Sequence, residues 1–295
     1  MNLKFCFICL FLFVHNPLAA ADRFFMATLD NSSWVMTEST VLVCKLEHKI
    51  PQFGKAVFYQ QAGRKMGLSL ITQRQYPKDL AVDFRAVTAS WKPQQSESML
   101  ASMKTTGFHD ILKINQQQAN DAFFGLYQGS LPSFFFYDDK DSNYDHKNSE
   151  LPIRVSLSMV RFRQALSEFE TCVSKLHPDN FWDVRMTKVH FDHDEEFPKE
   201  QEEELVFKRM LAYLKVDPSI KSIRILGHAD KTGSDCYNDN LSERRASYVY
   251  DLLIQNNVDF RKLSLQYYGE HQPLSKGDSL SALADNRRVS VILER

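Results

Sequence analysis

Hydrophobic and polar residues alternate in short runs along the first half of the chain, and these runs are rich in β-branched and aromatic side chains. Such alternation is typical of half-buried strands. The runs span residues 39–48, 55–61, 67–74, 79–89, 133–139 and 153–160. One later segment, residues 161–176, has its apolar side chains at helical spacing instead. We therefore predict a strand-rich unit that ends in one helix.

The second half of the chain changes rhythm, because strand-like and helix-like segments alternate along it. Asn240 and Glu243 fit a capping box at the start of a helix over 241–257. Strands separated by helices imply crossover connections and a mixed sheet with helices packed on it. We predict an α+β fold, with the boundary between its two units near 177–183. The predicted strands cover 184–191, 221–227, 262–269 and 287–294, and the helices cover 199–215, 241–257 and about 279–285.

The first residues, MNLKFCFICLFLFVHNPLAAAD, have the pattern of a cleaved secretory signal. Lys4 supplies a basic start, residues 5–14 are apolar without a break, and Ala19–Ala21 supply small residues for cleavage. The apolar run is too short to span a bilayer. We predict a signal peptide over 1–21, a mature chain from about Asp22, export to the periplasm and no later membrane span.

Length and charge narrow the class of protein. The chain has 295 residues and a formal charge of −1, and removal of Lys4 with the signal leaves about −2. A mature protein with this charge is not a polycation, so nucleic acid is not a predicted partner. Its length fits two domains, which we expect to cover residues 22–177 and 178–295.

Three of the five cysteines follow the predicted signal, namely Cys44, Cys172 and Cys236. Export permits a disulfide among them. None lies in a C-x-x-C pair, which disfavours a zinc site or a thioredoxin-like redox centre. An odd number of cysteines leaves one thiol unpaired.

The stretch GHADKTGSDCYNDNLSERRASYVYDLL, residues 227–253, holds the candidate chemistry. Asp230 follows a predicted strand, and Arg245 lies on the buried stripe of the next predicted helix. Together they could bind a zwitterion, because a guanidinium offers two parallel N–H bonds to a carboxylate. We expect both groups at the rim of such a slot, outside the core. From the spacing alone, a structural ion pair between Asp230 and Arg245 is the better interpretation.

Four ordered motifs resemble the OmpA-like peptidoglycan-binding domain over about residues 184–295. NDNLSERRASYVYDLL is similar to that family's N-x-x-L-S-x-R-R-A-x-x-V-x-x-x-L pattern, and GHAD resembles its G-H-T-D, with Ala229 in place of threonine. YGEHQP (268–273) and NRRV (286–289) are similar to two further family stretches.

This resemblance implies a function for the acid and the arginine. Asp230 would bind the ammonium and Arg245 the carboxylate of the diaminopimelate peptide in peptidoglycan. Asn238 and Arg287 match positions that would also contact the ligand. Leu241 matches the motif as well, although packing accounts for it equally.

Two stretches of the first half resemble the start and the end of the amino-terminal domain of the MotY family, periplasmic proteins of the sodium-driven polar flagellar motor. They are VCKLEHKIPQFGKAVF (43–58) and RVSLSMVRFRQALSEFETCVSKL (154–176). The resemblance implies that residues 22–177 bind the flagellar basal body and a MotX-like protein in the T ring, which helps to hold stator units in place. It also implies a Cys44–Cys172 disulfide.

Two rival functions are compatible with parts of the sequence. The protein could be a general wall-anchored scaffold of another envelope machine. A wall hydrolase would need a nucleophile or a metal, and the sequence has no nucleophile-elbow serine or activated cysteine near His228. HFDHDEE (190–196) could hold a metal through His190, Asp192 and Asp194, although a strand end running into an acidic loop accounts for it more simply. We predict no enzymatic activity, no metal and no cofactor.

The aromatic run FFFY (134–137) allows two interpretations. It is most simply a core strand, but it could also be an edge that docks a partner protein.

Overall fold

The computed structural model describes residues 24–89, 91–94, 96–137, 152–198 and 202–295. The predicted signal peptide lies outside these residues. The described chain forms three sheets and two separate hydrophobic cores, one in each half. Within it, no helix is long and apolar enough to cross a bilayer.

The first unit consists of two sheets and two helices around one core that is rich in phenylalanine. Its strands are β1 Phe24–Phe25, β2 Trp34–Ser39, β3 Val43–Ile50, β4 Gly54–Gln61, β5 Gly67–Thr72, β6 Ala81–Thr88, β7 Glu97–Lys104, β8 Ser130–Phe136 and β9 Ile153–Ser156, and its helices are α1 Gln116–Gln128 and α2 Phe162–Val173. One sheet is antiparallel and consists of β2, β3, β4 and β5 in that order. The other has the order β1-β9-β8-β6-β7, in which β1 and β9 are parallel.

The alternation seen in the sequence places one face of each strand in the core. In β3, Cys44, Leu46 and His48 are buried, whereas Lys45 and Glu47 between them are partly exposed, as a side-chain period of two requires. The aromatic run behaves in the same way, because Phe134 and Phe136 of β8 lie in the core. The prediction that this run is a core strand is confirmed.

Helix α1 is a second helix in this unit, beyond the one predicted at 161–176. Asn115 and Gln118 form a capping box at its start, and Gly129 ends it in the left-handed conformation with a φ of 81°. Its buried side is mostly small, with Ala119 and Ala122 facing the core. Small residues give little hydrophobic contrast, so the pattern does not reveal this helix.

A disulfide joins Cys44 of β3 to Cys172 of α2, the pairing that the family resemblance implies. It lies inside the first core and links the start of the unit to its end. Cys236 is free and exposed.

The second unit is one mixed sheet with helices packed on it. Its elements are α3 Phe181–Val184, β10 Met186–His190, α4 Glu202–Val216, β11 Ser222–Gly227, α5 Asp235–Gln255, β12 Leu263–Tyr267, α6 Leu280–Asn286 and β13 Arg288–Glu294. The strand order is β10-β13-β11-β12, with β11 parallel to β12 and β13 antiparallel to both of its neighbours. The α+β prediction and its mixed sheet are confirmed.

Helix α5 begins earlier than the hydrophobic pattern predicts. Its cap is Ser234, whose hydroxyl accepts from the Tyr237 N–H, so the predicted cap at Asn240 is wrong. The first six residues of α5, DCYNDN, are mostly polar. They contribute almost nothing to a hydrophobic stripe, and that stripe starts only at Leu241.

The segment at 177–183, where we predict the domain boundary, is bonded to both units. The His177 N–H donates to Val41 O over 2.8 Å, and His177 O accepts from the Gly63 N–H over 3.1 Å. Asp179 in turn pairs with Arg209 of α4. The connection is therefore held to the first unit by backbone hydrogen bonds and to the second by an ion pair.

Loss of the disulfide should destabilise the first unit. It closes a loop with a sequence separation of 128, for which chain entropy predicts up to about 4–5 kcal/mol. Urea unfolding of the Cys44→Ala, Cys172→Ala double variant should show a clearly lower midpoint than the parent protein. Cys236→Ala is the control, since that thiol is exposed and free. Equal midpoints for the double variant and the parent would contradict the prediction.

Gly227→Ala should disturb the packing of α5 on β11. A Cβ at Gly227 would lie 2.1 Å from Ser242 O and 3.0 Å from the Ala246 Cβ, so the helix would have to move away from the strand. Overpacking of this kind costs about 1–3 kcal/mol, to be measured by thermal unfolding.

Gly277→Ala is a comparison variant, because it adds backbone strain without the steric contact with α5 that Gly227→Ala creates. Gly277 has a φ of 104° but no neighbour within 4 Å of a built Cβ, so its replacement should cost only the conformational strain of about 1 kcal/mol. No measurable loss of stability in Gly227→Ala would show that close approach of α5 is not required.

Candidate ligand-binding pocket

A pocket of about 380 Å³ opens in the second unit, where the end of β11, the start of α5 and the loop after β10 meet. All five residues predicted to bind a ligand line it: Asp230, Asn238, Leu241, Arg245 and Arg287. The structure thus brings them together, while their function remains a prediction. The remaining lining residues are His193, Asp194, Ala229, Thr232, Gly233 and Tyr237.

Arg245 is fully buried on the inner side of α5. Its Nε–H donates to Glu195 O over 2.8 Å, and its two Nη groups donate to Asp192 O (3.1 Å) and His228 O (3.4 Å). A guanidinium has five N–H donors, so two are left without an acceptor among the described residues. Arg245 also belongs to the lining of the pocket, so a carboxylate that enters the pocket and reaches the buried guanidinium would meet these two donors.

Arg245 keeps its positive charge although it is buried. Desolvation lowers the pKa of the guanidinium to about 10, and the nearby Asp230 carboxylate opposes that shift. The Phe191 ring lies 5.1 Å below the guanidinium carbon and adds a cation–π contact. Arg245 is therefore a buried cation at neutral pH.

Asp230 is held in the ionised form by its neighbours. Its Oδ1 accepts from the Thr232 N–H over 2.9 Å and also from the Thr232 hydroxyl. Its Oδ2 accepts from Arg287 Nη1 over 2.9 Å. Burial raises the pKa of this carboxyl, but the hydrogen bonds from Thr232 and Arg287 outweigh burial and lower the pKa below its usual value.

Two expectations about this pair are wrong. Asp230 forms its ion pair with Arg287, not with Arg245, and both Asp230 and Arg245 are buried, not at a rim. The pairing of Asp230 with Arg287 is set by the tertiary structure. Arg288 O accepts from the His228 N–H over 2.9 Å, which places Arg287 beside Asp230.

Asn238 is positioned by an acid that the sequence did not single out. Its Nδ2 donates to Glu270 Oε2 over 2.6 Å, and the Asn238 side chain is buried. Glu270 lies in the YGEHQP stretch, so the motif carried a signal for it. The contact fixes the direction of the Asn238 amide at the pocket wall.

The acidic loop after β10 forms one wall of the pocket. The Tyr237 hydroxyl donates to Asp194, Arg244 pairs with Glu196, and the Phe197 ring packs edge-on against Tyr248 at 5.2 Å. These contacts fasten the loop to α5. The same loop supplies the carbonyl groups that hold Arg245.

The suspected metal cluster has a different arrangement from the one that the sequence suggests. β10 ends at His190, so Asp192 and Asp194 lie in the loop and do not share a strand face with it. Among the residues that the structure describes, no group of three or more His, Cys, Asp or Glu side chains could hold a metal ion.

The pocket presents both signs of charge. Asp230 and Arg287 neutralise each other, while Arg245 keeps two unused donors and Asp194 adds a carboxylate at the wall. Such a site suits a small ligand that itself carries an ammonium and a carboxylate, because each group meets its opposite charge within the same cavity.

His228, next to the pocket, is a buried neutral side chain. Its ring stacks on Tyr268 at 5.5 Å and is almost inaccessible to solvent. Burial and the charge of Arg288 lower the pKa of His228 from 6.5 to about 4. Protonation of this ring therefore favours the unfolded chain, in which the ordinary pKa applies.

The unfolding free energy should consequently fall as the pH is lowered from 6.5 toward 4. The pKa difference at His228 corresponds to about 3 kcal/mol at the acid end of that window. His228→Phe keeps an aromatic ring against Tyr268 and should flatten this part of the pH profile in urea titrations. His271→Phe, at an exposed histidine of the same unit, is the control. Parallel profiles for His228→Phe and the parent protein would refute the assignment.

Comparison with known proteins identifies both halves of the chain. Residues 25–178 match the model of the MotY N-terminal domain, and residues 192–287 match that of the OmpA family. The sodium-type flagellar protein MotY of Vibrio parahaemolyticus is 25% identical over 283 residues, which covers 95% of this chain and 93% of that protein.

Two further similar proteins match the second unit. Outer membrane porin F of Pseudomonas aeruginosa is 36% identical over 107 residues, covering 36% of this chain and 30% of that protein. The solved C-terminal domain of Helicobacter pylori MotB is 26% identical with a TM-score of 0.34, and the match covers 37% of this chain and 84% of that structure. Since the first match alone spans more than half of the sequence, the chain belongs to the family of the MotY N-terminal domain, followed here by a domain of the OmpA family.

Proposed function

We propose that this protein is a periplasmic, non-enzymatic component of a flagellar motor that anchors to peptidoglycan through its second unit. The family membership of both halves supports this function. So does the similarity to a sodium-type flagellar protein over nearly the whole length of both chains. The observation that carries the wall-binding part is Arg245, a buried guanidinium with two unused donors in a pocket that also holds Asp230.

The proposed ligand is the free end of the diaminopimelate side chain in a wall peptide. It carries an ammonium and a carboxylate on one carbon, so both charges must be met within a single small cavity. Arg245 binds the carboxylate through its two remaining N–H groups, and Asp230 accepts from the ammonium with its remaining lone pairs. Asn238 and Arg287 complete the walls, and Leu241 contributes apolar contact.

The first unit supplies the connection to the motor. Its resemblance to the MotY amino-terminal domain supports attachment to the basal body and to a MotX-like protein in the T ring, which helps to hold stator units in place. Its core is separate from that of the second unit and contains a disulfide. The chain thus joins a motor-binding part to a wall-binding part.

An OmpA family domain alone would also fit a general wall-anchored scaffold of another envelope machine. The match of the first unit to the MotY N-terminal domain favours the motor. Loss of swimming in a deletion strain, restored by the intact gene, would separate the two candidates.

Arg245→Lys and Asp230→Asn should each weaken sedimentation of the protein with purified sacculi. A lysine cannot satisfy three carbonyl groups and a bidentate carboxylate, and an amide is a poorer acceptor for an ammonium. Since a charge-assisted hydrogen bond contributes about 1.5–3 kcal/mol, affinity should fall roughly 10- to 150-fold.

These conservative changes are needed because Arg245 is fully buried, and Arg245→Ala would remove a large buried side chain together with its hydrogen bonds to Glu195 O, Asp192 O and His228 O. Arg261→Gln is the control: this arginine of the same unit does not line the pocket, its side chain is 78% exposed, and it pairs with Asp259. Thermal unfolding verifies that each variant is folded. Unchanged sacculus binding by a folded Arg245→Lys variant would refute the ligand assignment.

A further inference from the structure

A second concave site lies on the first unit, far in sequence from the pocket around Arg245. It is a groove of about 370 Å³ on the outer face of the five-stranded sheet, beside its edge strand β1, and we refer to it as the outer groove. Its lining is mostly apolar and contains one basic residue. The lining residues are Phe24, Met26, Val87, Thr88, Trp91, Ser96, Glu97, Leu131 and Arg154.

Arg154 lies between two aromatic rings of this face. Its guanidinium carbon is 4.9 Å from the centre of the Phe24 ring and 5.4 Å from that of Phe135. Its hydrogen bonds go only to hydroxyl groups, from Nε to Ser156 Oγ over 3.0 Å and from Nη2 to Ser133 Oγ over 3.5 Å. Within the described chain, no carboxylate lies within ion-pair distance of it.

A neighbouring arginine on the same face has the carboxylate partners that Arg154 lacks. Arg85 also packs on the Phe135 ring, at 4.7 Å, but it pairs with Asp83 at 2.8 Å and with Glu97 at 3.3 Å. Glu97, the acid in the outer groove, is thus already used by Arg85. Burial lowers the pKa of Arg154, and the charge of Glu97 opposes this shift only in part, so an incoming anion would offset the remaining desolvation cost.

The rest of the outer groove favours an extended peptide. Val87 and Leu131 form a buried apolar floor, and Phe24 and Trp91 stand beside it with 46% and 59% of their surfaces exposed. β1 is an edge strand that pairs with β9 on one side only among the described residues. Its free edge can accept the main chain of another strand.

We propose that the outer groove binds an extended segment of a partner protein, with an acidic side chain on Arg154 and an apolar side chain against Phe24 and Trp91. The segment runs along the free edge of β1, where main-chain hydrogen bonds add affinity and the two side chains select the sequence. The inference rests on the proposed function, since it gives the first unit the surface on which it meets another protein.

Site-specific cross-linking in the native cells tests the proposal. The photo-reactive amino acid p-benzoylphenylalanine at position 91 should form an adduct with a partner protein. Mass spectrometry should locate the cross-link in a segment with an Asp or Glu within a few residues of an apolar side chain. The same probe at Val35, an exposed residue of β2 on the other sheet, should give no such adduct.

The role of Arg154 is tested in the same cells. Arg154→Gln should reduce the adduct from position 91 at least tenfold, because it removes the cation but keeps a polar side chain of similar length. Arg163→Gln is the matched control, since Arg163 also lies over an aromatic ring, that of Tyr127 at 5.1 Å, but outside the outer groove. It should leave the adduct unchanged.

Three results would overturn the proposal: no adduct from position 91, an adduct unaffected by Arg154→Gln in a folded protein, or a cross-linked segment without an acid. Sacculus sedimentation of the same variants keeps the two functions apart. If Arg154→Gln loses the adduct but still binds sacculi fully, the outer groove is supported. If the parent protein does not sediment with sacculi, the wall-binding function is refuted, but the outer groove is not.

Discussion

The burial of Arg245 is the constraint on which the second unit depends. A guanidinium removed from water is costly unless its donors are satisfied, and here three carbonyl oxygens from two separate segments supply that satisfaction. Those segments are the loop after β10 and the end of β11. The arginine therefore ties α5 to both of them, and the pocket lies where these three segments meet.

The same interaction accounts for the loop at 192–197. Its acidic side chains reach α5 through Tyr237 and Arg244, while its backbone carbonyls hold the guanidinium. The acidic run that resembles a metal site in the sequence is thus a wall of the pocket. Its negative charge lies beside Arg245 and contributes to the mixed-charge surface that a zwitterionic ligand requires.

The two units are stabilised by different means but share a bonded connection. The first has a phenylalanine-rich core between two sheets and a disulfide across it, and the second has helices packed on a single sheet. His177 and Asp179 bond to the first and the second unit, respectively. A protein that links a moving machine to a fixed wall would transmit force through this short segment, so hydrogen bonds and an ion pair there suit the proposed function.

The sequence by itself determined the order of most strands and helices, the α+β class and five of the residues that line the pocket. These follow from local side-chain periodicity and from motifs such as NDNLSERRA, which depend only on near neighbours in the chain. Helix α1 and the first turns of α5 were not predicted, because small or polar residues give no hydrophobic stripe.

Only the tertiary structure decided how the site residues are paired. Arg287 meets Asp230 because β13 returns beside β11, and Arg245 is held by carbonyls 50 and 53 residues earlier in the chain. Backbone carbonyls have no signature in a sequence, since every residue carries one. Which of them would face the guanidinium, and hence how deeply it is buried, depends on long-range packing that no local pattern records.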